Sequence, residues 1–263
     1  MPPLTYPGVP PGRPAVLVTD REVLGLQPRG DTPLGTWLVR AGGTGTRAAG
    51  SSGPLDRLLD RPLDQVLGEN GGSPVARRVP VLAVGSNACP AQIRRKLAEA
   101  AVAVQVPITA VRVTGLAVGV SAHVSRAGYL PATPVADPAA ESELWMVWPD
   151  RATLTALDAT EPNYRRVRLP SRYPARLSAG QLVTGGWLYV SRHGHLLNAA
   201  GGSRRLTDQA TLIASLLAEV PALRALAGTT PQQWIDRTRS PGVRNAIRER
   251  FDQAGLVQRP GAR

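Results

Sequence analysis

VLAVGSNACPAQI, residues 81–93, reads as a strand, a tight turn and the opening of a helix. The apolar run Val79–Val84 suits a buried strand, and Gly85-Ser86-Asn87 punctuates it. Pro90 stands where a helix tolerates proline, in its first turn. The helix is expected from Pro90 to about Val102, with Ile93, Leu97 and Ala101 on one face and Arg94, Arg95 and Glu99 mostly outward. A turn of this kind aims backbone N–H groups and a helix N-terminus at one spot, a ready anion or oxyanion site. Gly85 allows close backbone approach. An ordinary strand-to-helix connection is the alternative, because the longer Gly-x-x-x-x-Gly-Lys pattern of a nucleotide loop is missing.

Downstream, Val106–Val113 and Leu116–Val124 carry strand signals broken by Gly115. Tyr129–Val135 is a shorter candidate, and Leu144–Trp148 is apolar enough for a strand covered on both faces. Asp150 can cap a helix running to about Glu161, and Tyr164–Leu169 and Trp187–Ser191 read as further strands. From Leu206 the pattern turns helical, in pieces over Leu206–Val220, Ala222–Ala227, Pro231–Arg239 and Val243–Ala254. Upstream, residues 1–14 are Pro-rich and read as extended or disordered, Ala15–Thr19 and Thr36–Val39 are short strand candidates, and Ala41–Pro54 is a flexible loop. Leu55–Leu67 has nearly helical spacing interrupted by Pro62. The expected organisation is an N-terminal extension over 1–78, partly flexible, an α+β domain over 79–192, and a helical extension over 193–263.

LDATEPNYRRVRL, residues 157–169, supplies the second chemical feature. Leu154, Leu157 and Glu161 fall at i, i+3 and i+7, so the carboxylate shares a face with two leucines that should pack inward. Pro162 ends the helix, placing Glu161 at its C-terminus. Burial and the negative end of the dipole both oppose a charged carboxylate there, which suits a group that exchanges protons. A surface glutamate paired with Arg165 or Arg166 is the alternative. Asp158, one turn earlier, is expected to face an arginine. His193-Gly194-His195 reads as a loop with two exposed histidines rather than a metal pair, and His123 as a core or rim residue with Arg126 near enough to meet a substrate carboxylate.

The chain has 263 residues, a net charge of +12 and 43% apolar residues, enough for a sizeable core. Seven of its eleven aromatic residues lie between Tyr129 and Tyr189, so the core should be densest there. Lys96 is the only lysine among 31 basic residues, and the arginines are scattered as pairs rather than gathered. That pattern argues against a nucleic-acid partner and for a solvated basic surface, or an acidic small molecule. One cysteine, Cys89, excludes an internal disulfide. The start MPPLTYPGVPPGRP has no signal pattern and no apolar run reaches membrane-spanning length, so the expected location is cytoplasmic. Oligomeric state is not legible.

In order, VLAVGSNACPAQI (81–93), GYLPATPV (128–135), ELWMVW (143–148), LDATEPNYRRVRL (157–169) and GWLYV (186–190) resemble the γ-glutamylcyclotransferase-like family. Its members begin with a Tyr-Gly-Ser-Asn strand–turn and later carry an Ala-Thr strand. An apolar strand then leads into a helix ending Leu-Asp-x-x-Glu, followed by Tyr and Arg. The resemblance implies a compact, barrel-like α+β fold with a pocket facing the turn. It implies that Val84, Gly85, Ser86, Asn87, Ala88 and Cys89 cradle a small γ-glutamyl substrate, that Glu161 is the general acid/base, and that Tyr164 lines the pocket. The implied reaction closes a γ-glutamyl group to 5-oxoproline and releases an amine or amino acid, with no metal or cofactor. Two positions depart from the pattern: Val84 replaces the leading Tyr, and Cys89 stands where an apolar residue is usual. A non-catalytic member that binds an anionic metabolite or peptide end in the same pocket is the second reading.

Overall fold

A computed structural model describes residues 2–41 and 60–259. In chain order the elements are β1 (Ala15–Thr19), β2 (Val23–Gln27), β3 (Leu38–Arg40), α1 (Leu63–Glu69), β4 (Val81–Ala83), α2 (Pro90–Glu99), β5 (Gln105–Val120) and β6 (Ala132–Val147). Then come α3 (Arg151–Ala159), β7 (Tyr164–Arg168), β8 (Ala175–Leu177), β9 (Leu182–Val183), β10 (Trp187–Ser191) and β11 (His195–Leu196). The chain closes with α4 (Gln209–Glu219), α5 (Pro221–Ala227), α6 (Pro231–Arg237), α7 (Pro241–Gln253) and β12 (Val257–Gln258). The loop expected over Ala41–Pro54 and the start of the helical pattern at Leu55 fall, from residue 42 on, outside the described residues.

A ten-stranded mixed sheet runs β3-β2-β1-β5-β6-β4-β10-β7, with β8 and β9 branching from β5. β4 pairs parallel with β10 and antiparallel with β6, which buries it in the middle of the sheet. The two expected strands around Gly115 are one long strand, β5, whose register against β6 slips between Thr114 and Leu116. Gly115 at φ +79° takes up that slip as a bulge. Tyr129–Val135 and Leu144–Trp148 likewise belong to the single strand β6 and the loop before it. β1 takes one edge of the first half of β5 and β8 the same edge further along, so the sheet spreads outward. Among the described residues no pairing joins β3 to β7, and the barrel expected from the resemblance is not closed. The sheet also continues across residue 78: β1 pairs with β5 over Ala15–Thr19 and Gln105–Thr109.

Burial on both faces explains the unbroken apolar runs. Ala15 and Leu17 of β1 enter a core with Trp37, Leu63 and Leu67, while Val16 and Val18 enter another with Ile93, Leu97 and Leu157. α2 and α3 therefore cover one face of the sheet, and Trp37 and α1 pack on the other. A further core gathers Trp234, Phe251 and the leucines of α4 with Val120, Val124 and Leu130 beyond the end of β5. There Gln209 bonds both N and O of Leu130 (2.8 and 3.0 Å), and Trp234 Nε1 donates to Gly128 O at 2.9 Å. The C-terminal helices thus clamp the loop 124–130 in place. No single helix among the described residues is long and apolar enough to cross a membrane.

Candidate active site

β4 delivers the turn. Past Ala83 the chain leaves the sheet at Gly85 and makes one 3-10 turn, Ser86–Ala88, before α2. The turn's own bonds run from Ala88 N to Gly85 O and from Cys89 N to Ser86 O, both at 3.0 Å. The N–H groups of Ser86 and Asn87 are therefore not used inside it.

α3 delivers the carboxylate. Asp150 caps its start by accepting from Thr153 N at 2.9 Å, and Leu154 and Leu157 are buried as the spacing predicts. The helix ends two residues earlier than expected, at Ala159, with Thr160 as its C-cap. Glu161 then opens a turn closed by Tyr164 N donating to Glu161 O at 3.0 Å. Its side chain is 14% exposed and does not reach Arg165 or Arg166. Asp158 takes that arginine instead, with Arg166 at 2.9 and 3.1 Å, and also accepts from the Tyr189 hydroxyl at 2.8 Å.

The partner of Glu161 is Lys96. Its Nζ lies 2.7 Å from Glu161 Oε1 and 2.7 Å from Asn87 Oδ1, and Asn87 Nδ2 donates to the same Oε1 at 3.1 Å. Among the described residues Oε2 makes no hydrogen bond. Turn, helix and carboxylate are so joined in one closed triangle, with the lysine side chain only 7% exposed. In the sequence Lys96 stands out only as the single lysine. Its position next to Leu97 and one turn past Ile93 marks it as lying at the buried face of α2, which is the signal that would have found it.

Glu161 lines two neighbouring spaces. An inner chamber of about 40 Å³ is walled by Val84, Gly85, Ser86, Asn87 and Tyr164, together with Tyr6 and Tyr189. An outer cavity of about 520 Å³ shares Glu161, Ser86, Tyr6 and Tyr164 and opens past Arg95, Arg126 and Tyr129. Ala88 and Cys89 are not brought to this site. Both are buried, Ala88 in the core under α2, and Cys89 lines a separate groove of about 900 Å³ between α2 and residues 8–13. That groove is larger but has no carboxylate in its wall.

The remaining wall is phenolic. Tyr164 Oη donates to Ala132 O at 2.8 Å, and Ala132 N donates to Tyr6 Oη at 2.8 Å. Tyr6 stacks on Tyr129 with centroids 4.2 Å apart, a contact worth about 0.5–1.5 kcal/mol beyond its buried area. Burial raises the Tyr6 and Tyr164 phenols well above their ordinary value, and the Glu161 charge adds to it, so both are neutral donors or acceptors near pH 7. His123 is buried at the rim, with Nδ1 2.6 Å from Ser121 Oγ, and burial lowers its pKa to about 3. His193 and His195 are half-buried rather than exposed: the His193 ring lies 4.6 Å from that of His123, and His195 Nε2 is 3.0 Å from Ser203 Oγ. Among the described residues no three His, Cys, Asp or Glu side chains are grouped as a metal site.

No protein-family model matches the sequence, and no curated protein matches it. Among solved structures, a chain named gamma-glutamyl cyclotransferase is similar to this one at 13% identity and a TM-score of 0.34, over 65% of this chain and 99% of that one.

Proposed function

We propose that this chain is a metal-independent γ-glutamylcyclotransferase-like enzyme with Glu161 as its general acid/base. The observation that carries the reading is that Glu161 and the Gly85–Asn87 turn wall one chamber, with Lys96 and Asn87 both holding Oε1. That leaves Oε2 to meet a proton. The inner chamber is too small for a whole substrate, so the γ-carbonyl is placed at its mouth and the leaving group in the outer cavity.

In this reading Oε2 takes a proton from the α-ammonium of the γ-glutamyl group. The freed amine attacks its own γ-carbonyl, forming the ring C–N bond and moving the carbonyl electron pair onto oxygen. Collapse re-forms the carbonyl and breaks the original amide C–N bond as Glu161 gives its proton to the leaving nitrogen. Glu161 then takes a second proton from the ring nitrogen, which is left as the lactam N–H, and passes it to the amine, which departs as an ammonium. Ring closure is intramolecular, worth up to about 10⁵–10⁸ M in effective molarity when well oriented, so proton transfer is the main task left. A positioned acid/base contributes about 10²–10⁴-fold. Lys96 keeps Oε1 fixed and compensates its charge through the cycle.

Glu161→Gln keeps the shape and removes the proton acceptor. Release of 5-oxoproline from γ-glutamyl dipeptides by the purified variant should fall by about 10³-fold, with circular dichroism showing the fold retained. Activity within tenfold of the unmodified protein would refute the assignment. A ligand-dependent rise in melting temperature with no turnover in either protein would favour the binding-only reading.

A further inference from the structure

Three tyrosines line the inner chamber, and their hydroxyl protons have different fates. Tyr164 gives its proton to Ala132 O and Tyr189 gives its own to Asp158. Tyr6 instead accepts, from Ala132 N at 2.8 Å. Among the described residues its own proton has no acceptor. The residue is only 6% exposed and lines the inner chamber.

The packing holds this oxygen firmly. Leu4 packs on the C-terminal helical core, the Tyr6 ring stacks on Tyr129, and residues 8–13 continue along α2. Gly85 fits the same arrangement, because a Cβ there would lie 2.5 Å from Tyr6 Oη. The N-terminal segment therefore inserts a fixed O–H donor beside the turn, in the chamber that Glu161 also lines.

We infer that Tyr6 is the side-chain oxyanion donor of the site, its O–H directed at the oxygen of the substrate carbonyl as negative charge develops there. The inference rests on the cyclisation proposed above. When the substrate amine adds to the carbonyl carbon, the displaced electron pair is stabilised on oxygen by this O–H. Tyr6 keeps its proton throughout, and both protons that travel are carried by Glu161. A donor fixed in advance in a water-poor chamber is worth about 10²–10³ in rate when removed.

Tyr6→Phe keeps the ring and its stack and removes only the oxygen. With a γ-glutamyl dipeptide, kcat should fall by about 10²-fold while KM changes less than about threefold. A kcat within threefold of the unmodified protein, or a loss confined to KM, overturns the inference. An independent readout is the stretching band of a ¹³C-labelled γ-carbonyl bound to the Glu161→Gln protein. The band should lie at lower frequency with Tyr6 than with Tyr6→Phe, and lower still with 3-fluorotyrosine at position 6, a stronger donor. The fluorinated protein keeps the acceptor oxygen, so it serves if Tyr6→Phe does not fold, and an unmoved band overturns the inference. Normal turnover by Tyr6→Phe with a silent Glu161→Gln refutes this role alone. No 5-oxoproline from the unmodified protein refutes the reaction and this role with it.

Discussion

The two walls of the chamber are built of opposite materials. On one side Glu161, Lys96 and Asn87 form a charged triangle in which both partners grip the same carboxylate oxygen. On the other, Tyr6 and Tyr164 bracket the N and O of Ala132 without any formal charge. On the proposed reading the difference divides the work: the proton moves on the charged side, while the phenolic side stays fixed and neutral. It also separates two neighbouring carboxylates. Asp158, one turn from Glu161, spends its oxygens on Arg166 and Tyr189 and is left with no role in the chamber.

The largest effect expected from breaking the charged wall comes from Lys96→Met. It leaves a buried carboxylate without its cation, destabilising the fold by about 3–5 kcal/mol. Turnover at pH 7 per folded molecule should drop by about 10–100-fold. Unchanged turnover per folded molecule, with only stability lost, would reduce Lys96 to a structural tie.

His123, at the border of the two walls, sharpens the comparison through stability. Burial, reinforced by the nearby His193 and Arg248, holds its pKa at about 3 in the folded state. The unfolded chain binds that proton near pH 6.5, so stability present above 6.5 is lost as the pH falls towards 3. The slope should reach about 1.4 kcal/mol per pH unit. Urea unfolding at a series of pH values should show this slope for the natural chain and a flatter one for His123→Gln. Equal slopes would mean that His123 is not the group responsible.

The smallest effect belongs to Cys89→Ala. The thiol faces the other groove, so turnover should stay within about twofold of the natural chain. A large loss would join the two cavities functionally and undo the separation drawn here.

Much of this was legible in the sequence because local rules and tertiary structure agree there. Pro90 opens α2, Asp150 caps α3, and the apolar runs of β1 and β10 lie where their patterns put them. Gly115 was legible as a break but not as a bulge inside one strand, since only the pairing with β6 shows that the strand continues. The turn and Glu161 were legible as a pair. Lys96 and Tyr6 were not. Lys96 reaches Glu161 across 65 residues of chain and Tyr6 reaches Ala132 across 126, and no spacing rule spans such separations. Short strands such as β8 and β11, of three and two residues, carry too little pattern to be seen at all.

The most direct measurement of the central claim is the product balance of the natural chain on γ-glutamyl dipeptides, followed by mass spectrometry. The account predicts 5-oxoproline and free amino acid in equal amounts, with no glutamate, because the attacking nitrogen belongs to the substrate itself. Glutamate in place of 5-oxoproline would mean that water attacks, and no product from any γ-glutamyl substrate would mean that the chamber does not catalyse this closure.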